Sequence, residues 1–211
     1  MTLTTPPGPG STAAPASPTA SPPVSPTAAL AGQAAAAGLR VLAAAHWPES
    51  PADRVPPPLA GFVVSSFSPL AAEAARRCLT RRPDPAEAAP DAAGAGTTRT
   101  AVIVVSALGD LAGAVHVAEA IEGGGRPGPL MFFQAVPNAV AGYVAARWGL
   151  TGPVVCVGDT AAGLGVAATL LEDGDAEDAL LIRVDQAATA AAHDRAGAVL
   201  LGPREREGER L

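Results

Sequence analysis

VPNAVAGYVAARWGLTGPVVCVGDTAAGLGVAATLLEDGDAEDALLIRVDQ, residues 136–186, alternates between helical and extended patterns often enough to decide the fold class. Pro137 can open a helix because its missing N–H is an orphan there anyway, and Val136, Val140, Val144 and Trp148 recur four apart along one side until Gly149. Residues 153–157, PVVCV, read as a buried strand. Asp159 then stands as the N-cap of a further helix that closes at Gly174, and residues 179–184 form another buried strand. A strand feeding a helix in this way predicts α/β layering.

The helix after Asp159 carries no charge between Ala161 and Leu171. Gly163 and Gly165 each cost it roughly 1 kcal/mol relative to Ala. A helix apolar on every side, with small residues that permit close approach, is expected in the middle of a structure.

Working outward, residues 101–106 (AVIVVS) read as a strand covered on both faces, followed by an amphipathic helix over 109–121 that ends in Gly123, Gly124 and Gly125. Residues 196–201 (AGAVLL) make a last strand, and 39–44 a first one. A proline-rich loop runs through Pro51, Pro56, Pro57 and Pro58, residues 62–67 suggest an irregular strand, and residues 69–79 are spaced as a helix with Arg76 and Arg77 near its end. Residues 83–96 read as loop. The sum is about five strands, mostly parallel, and four helices on both faces of the sheet.

Composition sets the borders. Residues 1–30 hold Pro, Ser, Thr, Ala and Gly with almost no larger aliphatics and no charge, a composition expected to stay disordered. The folded domain is expected over 31–203 and a charged tail over 204–211. The 14 basic residues are all Arg, the net charge is −6, and the one Arg-rich run, PREREGER, is interleaved with Glu, which argues against a nucleic-acid partner. The longest uncharged run inside the domain, between Arg126 and Arg147, is broken by Pro127, Pro129, Pro137, Gln134 and Asn138, so no membrane span is expected. The N-terminus lacks the basic residues and apolar core of a secretory signal, and Cys78 and Cys156 read as reduced core residues of a cytoplasmic protein. His46, His116 and His193 stand alone, without metal-ligand spacing. No cofactor is expected.

Two motif readings compete at the central helix. Gly163, Gly165 and Ala168 spell GxGxxA with Asp185 downstream, but five residues separate the strand from the first Gly, where a dinucleotide turn needs nearly none. Gly158 and Gly163 have Walker-like spacing, yet Leu164 and Gly165 stand where Lys and Ser or Thr are required. Cys156 as a nucleophile lies inside the strand with no His or Asp patterned beside it, and reads better as core.

Pro137-Asn138, a short helix, Gly149-Leu150-x-Gly152-Pro153, a strand, and then Asp159-Thr160-Ala161 at a helix start resemble the nucleophile region of the β-ketoacyl synthases. The likeness runs from about residue 39 to 202 and is strongest over 132–184. In that family the last motif ends in the nucleophilic Cys; here Ala162 occupies the place, and alanine has no lone pair with which to attack a thioester. The resemblance implies a single thiolase-like half, without the second half and its two histidines. It further implies kinship with the chain length factors, inactive homologues that share an acyl tunnel with a working ketosynthase, although those commonly carry Gln where this chain has Ala162.

On that resemblance Met131, Phe132, Phe133, Gln134 and Asn138 are candidates for the tunnel wall or interface; filling of core by the two Phe side chains is the competing reading. The strand Val154, Val155, Cys156 and Val157 is the expected dimer seam. The implied partner is a full-length β-ketoacyl synthase or a second copy of this chain, with acyl carrier protein met only indirectly. The alternatives are a residual acyl-thioester enzyme, a decarboxylase or acyltransferase that uses Asp159 or Thr160 at the helix start without a covalent intermediate, and a degenerate copy.

Overall fold

The computed structural model describes residues 26–83, 99–189 and 193–204. Its five strands are β1 (Arg40–Trp47), β2 (Thr100–Val105), β3 (Val154–Val157), β4 (Asp178–Asp185) and β5 (Arg195–Gly202). They form one sheet in the order β1-β5-β4-β2-β3. β2 is parallel to both β3 and β4, whereas β5 runs antiparallel to β4 and β1. Four strands therefore share a direction and only β5 opposes them, because β4 and β5 follow one another with a short connection rather than a helical crossover.

Six helices are described: α1 (Pro26–Ala36), α2 (Phe67–Leu79), α3 (Leu111–Glu122), α4 (Pro129–Ala135), α5 (Pro137–Trp148) and α6 (Thr160–Glu172). α2 and α5 cover one face of the sheet, burying Phe67, Leu70, Val140 and Val144 against Val102, Val104, Leu180 and Leu200. α1 and α6 cover the other, where Leu30, Ala34, Leu164 and Ala167 meet Ile103, Leu181 and Val199. The central strands β2 and β4 are thus buried on both sides, which is why their sequences run as continuous aliphatics instead of alternating.

α6 lies unusually close to the sheet. A Cβ on Gly163 would sit 2.8 Å from Val105 Cγ2 and 3.1 Å from Leu181 Cδ1, so the glycine that weakens the isolated helix permits its docking. Gly165 has nothing within 4 Å and faces outward.

Several expectations are corrected. α1 begins at Pro26, inside the stretch read as tail, and buries Thr27 and Leu30. Residues 62–66 form no strand; a single bridge joins Leu59 to Phe62, and Phe67 already opens α2. β1 extends to Trp47, past the expected end at residue 44. The strand 154–157 is not a buried one: it ends the sheet with β2 as its one neighbour, leaving Val154 38% exposed. α6 buries Gly163, Leu164 and Ala167 but exposes Ala161, Ala162, Gly165 and Thr169, so in this chain it is a surface helix whose outer face is uncharged as far as Leu171. The expected tail up to residue 25, most of the loop 83–96 and the charged end beyond Arg204 lie outside the described residues.

Candidate functional site

The start of α6 is built by its sequence. β3 delivers the chain to Gly158, and Asp159 adopts an extended conformation (φ −142°, ψ 162°) from which its Oδ1 accepts a hydrogen bond from the Ala162 backbone N–H at 2.8 Å. The Asp159 carbonyl accepts from Gly163 N–H at 3.1 Å. Asp159 is therefore a helix cap in full, and Thr160, Ala161 and Ala162 make up the first turn. Ala162 presents a methyl group to solvent.

Beside this turn, Val104, Ser106, Pro137, Cys156, Val157 and Gly158 line a shallow hollow. The thiol there is not activated: burial pushes the Cys156 pKa up to about 11, with a hydrogen bond from the Val104 backbone opposing weakly, and burial takes Cys78 to about 12. Neither cysteine can serve as a thiolate nucleophile near neutral pH.

The five tunnel candidates do not share one wall. Met131 and Gln134 turn inward to a small cavity bounded by Phe62, Val64, Ser65 and Asp110. Phe133 is 59% exposed, its ring 6.4 Å from that of Phe62, and Asn138 is exposed on the first turn of α5. The Phe132 side chain lies outside the described set.

A polar cluster at the C-terminal ends of β2 and β4 was not expected. Ser65 Oγ donates to Asp110 Oδ1, Ser66 Oγ donates to Asp194 Oδ2, and Gln186 Nε2 donates to both hydroxyls, at 3.1 and 2.9 Å. Gln186 Oε1 accepts from the Ala112 N–H at 3.2 Å and Asp194 Oδ1 from the Ala187 N–H at 2.8 Å. The cluster fastens the starts of α2 and α3 to the β4–β5 connection. Asp110, which caps α3, could have been sought as an Asp ahead of an amphipathic run; the other members are brought together from up to 128 positions apart.

The two edges of the sheet differ in kind. Along β1, Arg81 donates to Ala44 O at 3.0 Å, Arg77 to His46 O at 3.4 Å, and the His46 N–H donates to Glu49 Oε1 at 3.2 Å. Arg77 is itself paired with Asp53 at 2.8 Å and Glu73 at 2.7 Å, and Arg81 with Glu49 at 2.6 Å. Hydrogen bonding from Arg81, ahead of the opposing effect of burial, holds the Glu49 pKa down at about 2. This ionic strap occupies polar groups that an added strand would need. β3 has nothing of the sort. The carbonyls of Pro153 and Val157 point to β2, so by alternation the backbone groups of Val154 and Cys156 point away, and no partner meets them among the described residues.

No group of three or more His, Cys, Asp or Glu side chains is placed to hold a metal ion, and no helix is long and apolar enough to cross a membrane, among the described residues.

No family model and no curated protein matches the chain. Solved structures do. A chain from a ketosynthase in complex with its chain length factor, from Xenorhabdus doucetiae, superposes with a TM-score of 0.57 at 15% identity over 79% of this chain and 79% of that one. The fold is that of the β-ketoacyl synthases and their chain length factors. The ishigamide ketosynthase/chain length factor follows at a TM-score of 0.54, with 21% identity over 71% of this chain and 47% of that one. A β-ketoacyl synthase from Burkholderia phymatum gives 0.50, with 14% identity over 65% and 42%. The chain thus spans less than half of the latter two, while the equal shares in the first match mean two chains of similar length.

Proposed function

We propose that this chain is a non-catalytic, ketosynthase-like accessory subunit of the chain-length-factor kind, which pairs with an active ketosynthase and helps to shape its acyl tunnel. The observation that carries the reading is the first turn of α6, where Asp159 is spent as a cap and the exposed side chain at the nucleophile position implied by the family resemblance is the Ala162 methyl. The residual-enzyme alternative would need an uncommitted acid, base or nucleophile at that turn. Asp159 Oδ1 is engaged by the helix it starts, which leaves the Thr160 hydroxyl as the group that reading would have to use.

Two surfaces support a protein partner. The bare β3 edge offers the outward N–H and C=O groups of Val154 and Cys156 for β-addition. The segment of α3 and α4 carries most of the exposed large hydrophobics among the described residues, including Leu108, Val115, Ile121, Leu130, Phe133 and Val136, while α3 buries only Gly113. A partner that covers both would remove an apolar patch of a kind that soluble monomers seldom leave open. The near-equal length of the matched chain in a ketosynthase–chain length factor structure supports the proposal that a chain of this size can fill such a place.

The test is co-expression with a candidate ketosynthase, followed by size-exclusion chromatography with light scattering. A stable one-to-one complex is the expected result. A homodimer or monomer with no affinity for any ketosynthase tried, together with hydrolysis or decarboxylation of acyl-carrier-protein thioesters that is lost in Asp159→Ala, would replace this reading with the enzymatic one.

A further inference from the structure

The cavity between the loop before α2, the start of α3 and the inner side of α4 contains one unpaired polar atom. Gln134 is 9% exposed, and its Oε1 is fully buried without a hydrogen-bond partner. Two of the other polar groups on the wall, Ser65 Oγ and Asp110 Oδ1, are already engaged. Ser65 Oγ donates to Asp110 and accepts from the Phe67 N–H and Gln186 Nε2, both at 3.1 Å, while Asp110 Oδ1 also accepts from the Gly113 N–H at 2.9 Å. The remaining lining is Ser68 and Gly113 with the apolar Phe62, Val64, Met131 and Ala135.

An unmet buried carbonyl oxygen is costly, and in a cavity with room for one small group it favours a hydrogen-bond donor. We infer that the Gln134 cavity is a binding site for one neutral hydrogen-bond donor, a hydroxyl group on a short apolar chain or a water molecule, with Gln134 Oε1 as the acceptor. An anion is disfavoured, since it would face the Gln134 oxygen and the Asp110 carboxylate. The room is water-sized, so the donor alone enters and an attached chain would lie against Phe62 and Met131 at the mouth. Met131, unbranched and adaptable, is the side chain best able to yield to it. The inference stands apart from the partner reading, because the cavity is walled by this chain alone.

Met131 is one of two methionines, the other being Met1, so its 13C-labelled methyl gives a clean NMR probe in the full chain. Titration with 1-butanol is expected to move that signal saturably, whereas 1-chlorobutane, of equal length and without a donor, binds at least tenfold more weakly. Gln134→Leu should remove the distinction. A long-lived water contact to the Met131 methyl, with no alcohol response and with loss of that contact in Gln134→Leu, would instead identify the donor as water. Equal responses to the two butyl compounds, or no response together with no bound water, would overturn the inference. Should Gln134→Leu not fold, the comparison of the two ligands and the water contact on the unaltered chain still decide it.

Discussion

The backbone N–H of Ala162 donates to Asp159 Oδ1 across 2.8 Å, closing the first turn of α6 beneath an exposed methyl group. On the proposed reading this turn keeps the place of a nucleophile without its thiol. The cap, the helix dipole and the access to solvent are present, and position 162 offers a methyl group. Ala162→Cys would supply the thiol. The introduced thiol is expected to react with iodoacetamide at pH 7 at least tenfold faster than Cys78 or Cys156, both held unreactive by burial. Competition labelling followed by mass spectrometry reads the three rates, and equal rates would mean that the turn does not activate a thiol.

If Asp159 acts as a cap, its removal should cost stability. Asp159→Ala is expected to lower the unfolding free energy by about 1 kcal/mol, and Asp159→Asn by much less, since Asn caps nearly as well. Urea titration of the two variants checks the ranking.

The paired glycines of α6 should respond in opposite directions. Helix propensity alone favours alanine at either place by about 1 kcal/mol. At Gly165 nothing obstructs the new methyl, so Gly165→Ala should stabilise the isolated protein by up to that amount. At Gly163 the methyl would meet Val105 and Leu181 inside contact distance, and overpacking of about 1–3 kcal/mol should outweigh the gain. Thermal melts of both variants, run side by side, are sufficient.

How far the sequence spoke for itself depends on the kind of information each element needed. α5 and the start of α6 were legible because Pro137, Gly149 and Asp159 punctuate them locally. α1 was not, since PTAALAGQAAA has no apolar periodicity to detect and owes its place to Leu30 and Ala34 packing on the sheet. The strand expected at residues 62–67 failed for a related reason: a Phe-Val-Val run looks extended, but Ser65 and Ser66 bond to Asp110 and Asp194 and turn the chain into α2. PVVCV reads as buried because its composition matches that of a central strand, and only the strand order reveals that one side is open. At the site, the helix start that carries Ala162 was legible from Asp159 as its cap. The separation of Gln134 from Phe133, one turned inward and its neighbour outward, required the orientation of α4 on the body.

The strap over β1 should be sensitive to acid. Glu49 titrates at about 2 in the folded chain against a usual 4.5, chiefly through its hydrogen bonds from Arg81, so the ionised form is favoured by folding. A depressed carboxyl pKa contributes stability that is complete above the unfolded value and is lost as pH falls through the folded one. Stability should therefore decline from about pH 4.5 towards pH 2. Glu49→Gln should flatten part of that slope while lowering stability at pH 7. Urea midpoints measured across this range for the two proteins provide the check, and parallel curves would count against the strap.

The opposite edge gives the sharpest test of the proposed assembly. A strand can be added to β3 only if its outward N–H and C=O groups stay accessible, and charged side chains on an edge are a common means of preventing such addition. Val154 is 38% exposed at the start of β3, so a lysine there can reach solvent with little cost to the fold. Val154→Lys should leave the thermal midpoint of the isolated chain within a few degrees of the original and weaken association with a ketosynthase at least tenfold. Arg40→Lys, on the far edge at the start of β1, should leave association unchanged. Equal association of both variants in size-exclusion chromatography would move the interface away from β3 and towards the exposed α3–α4 segment, where Phe133→Ser would be the next substitution to make.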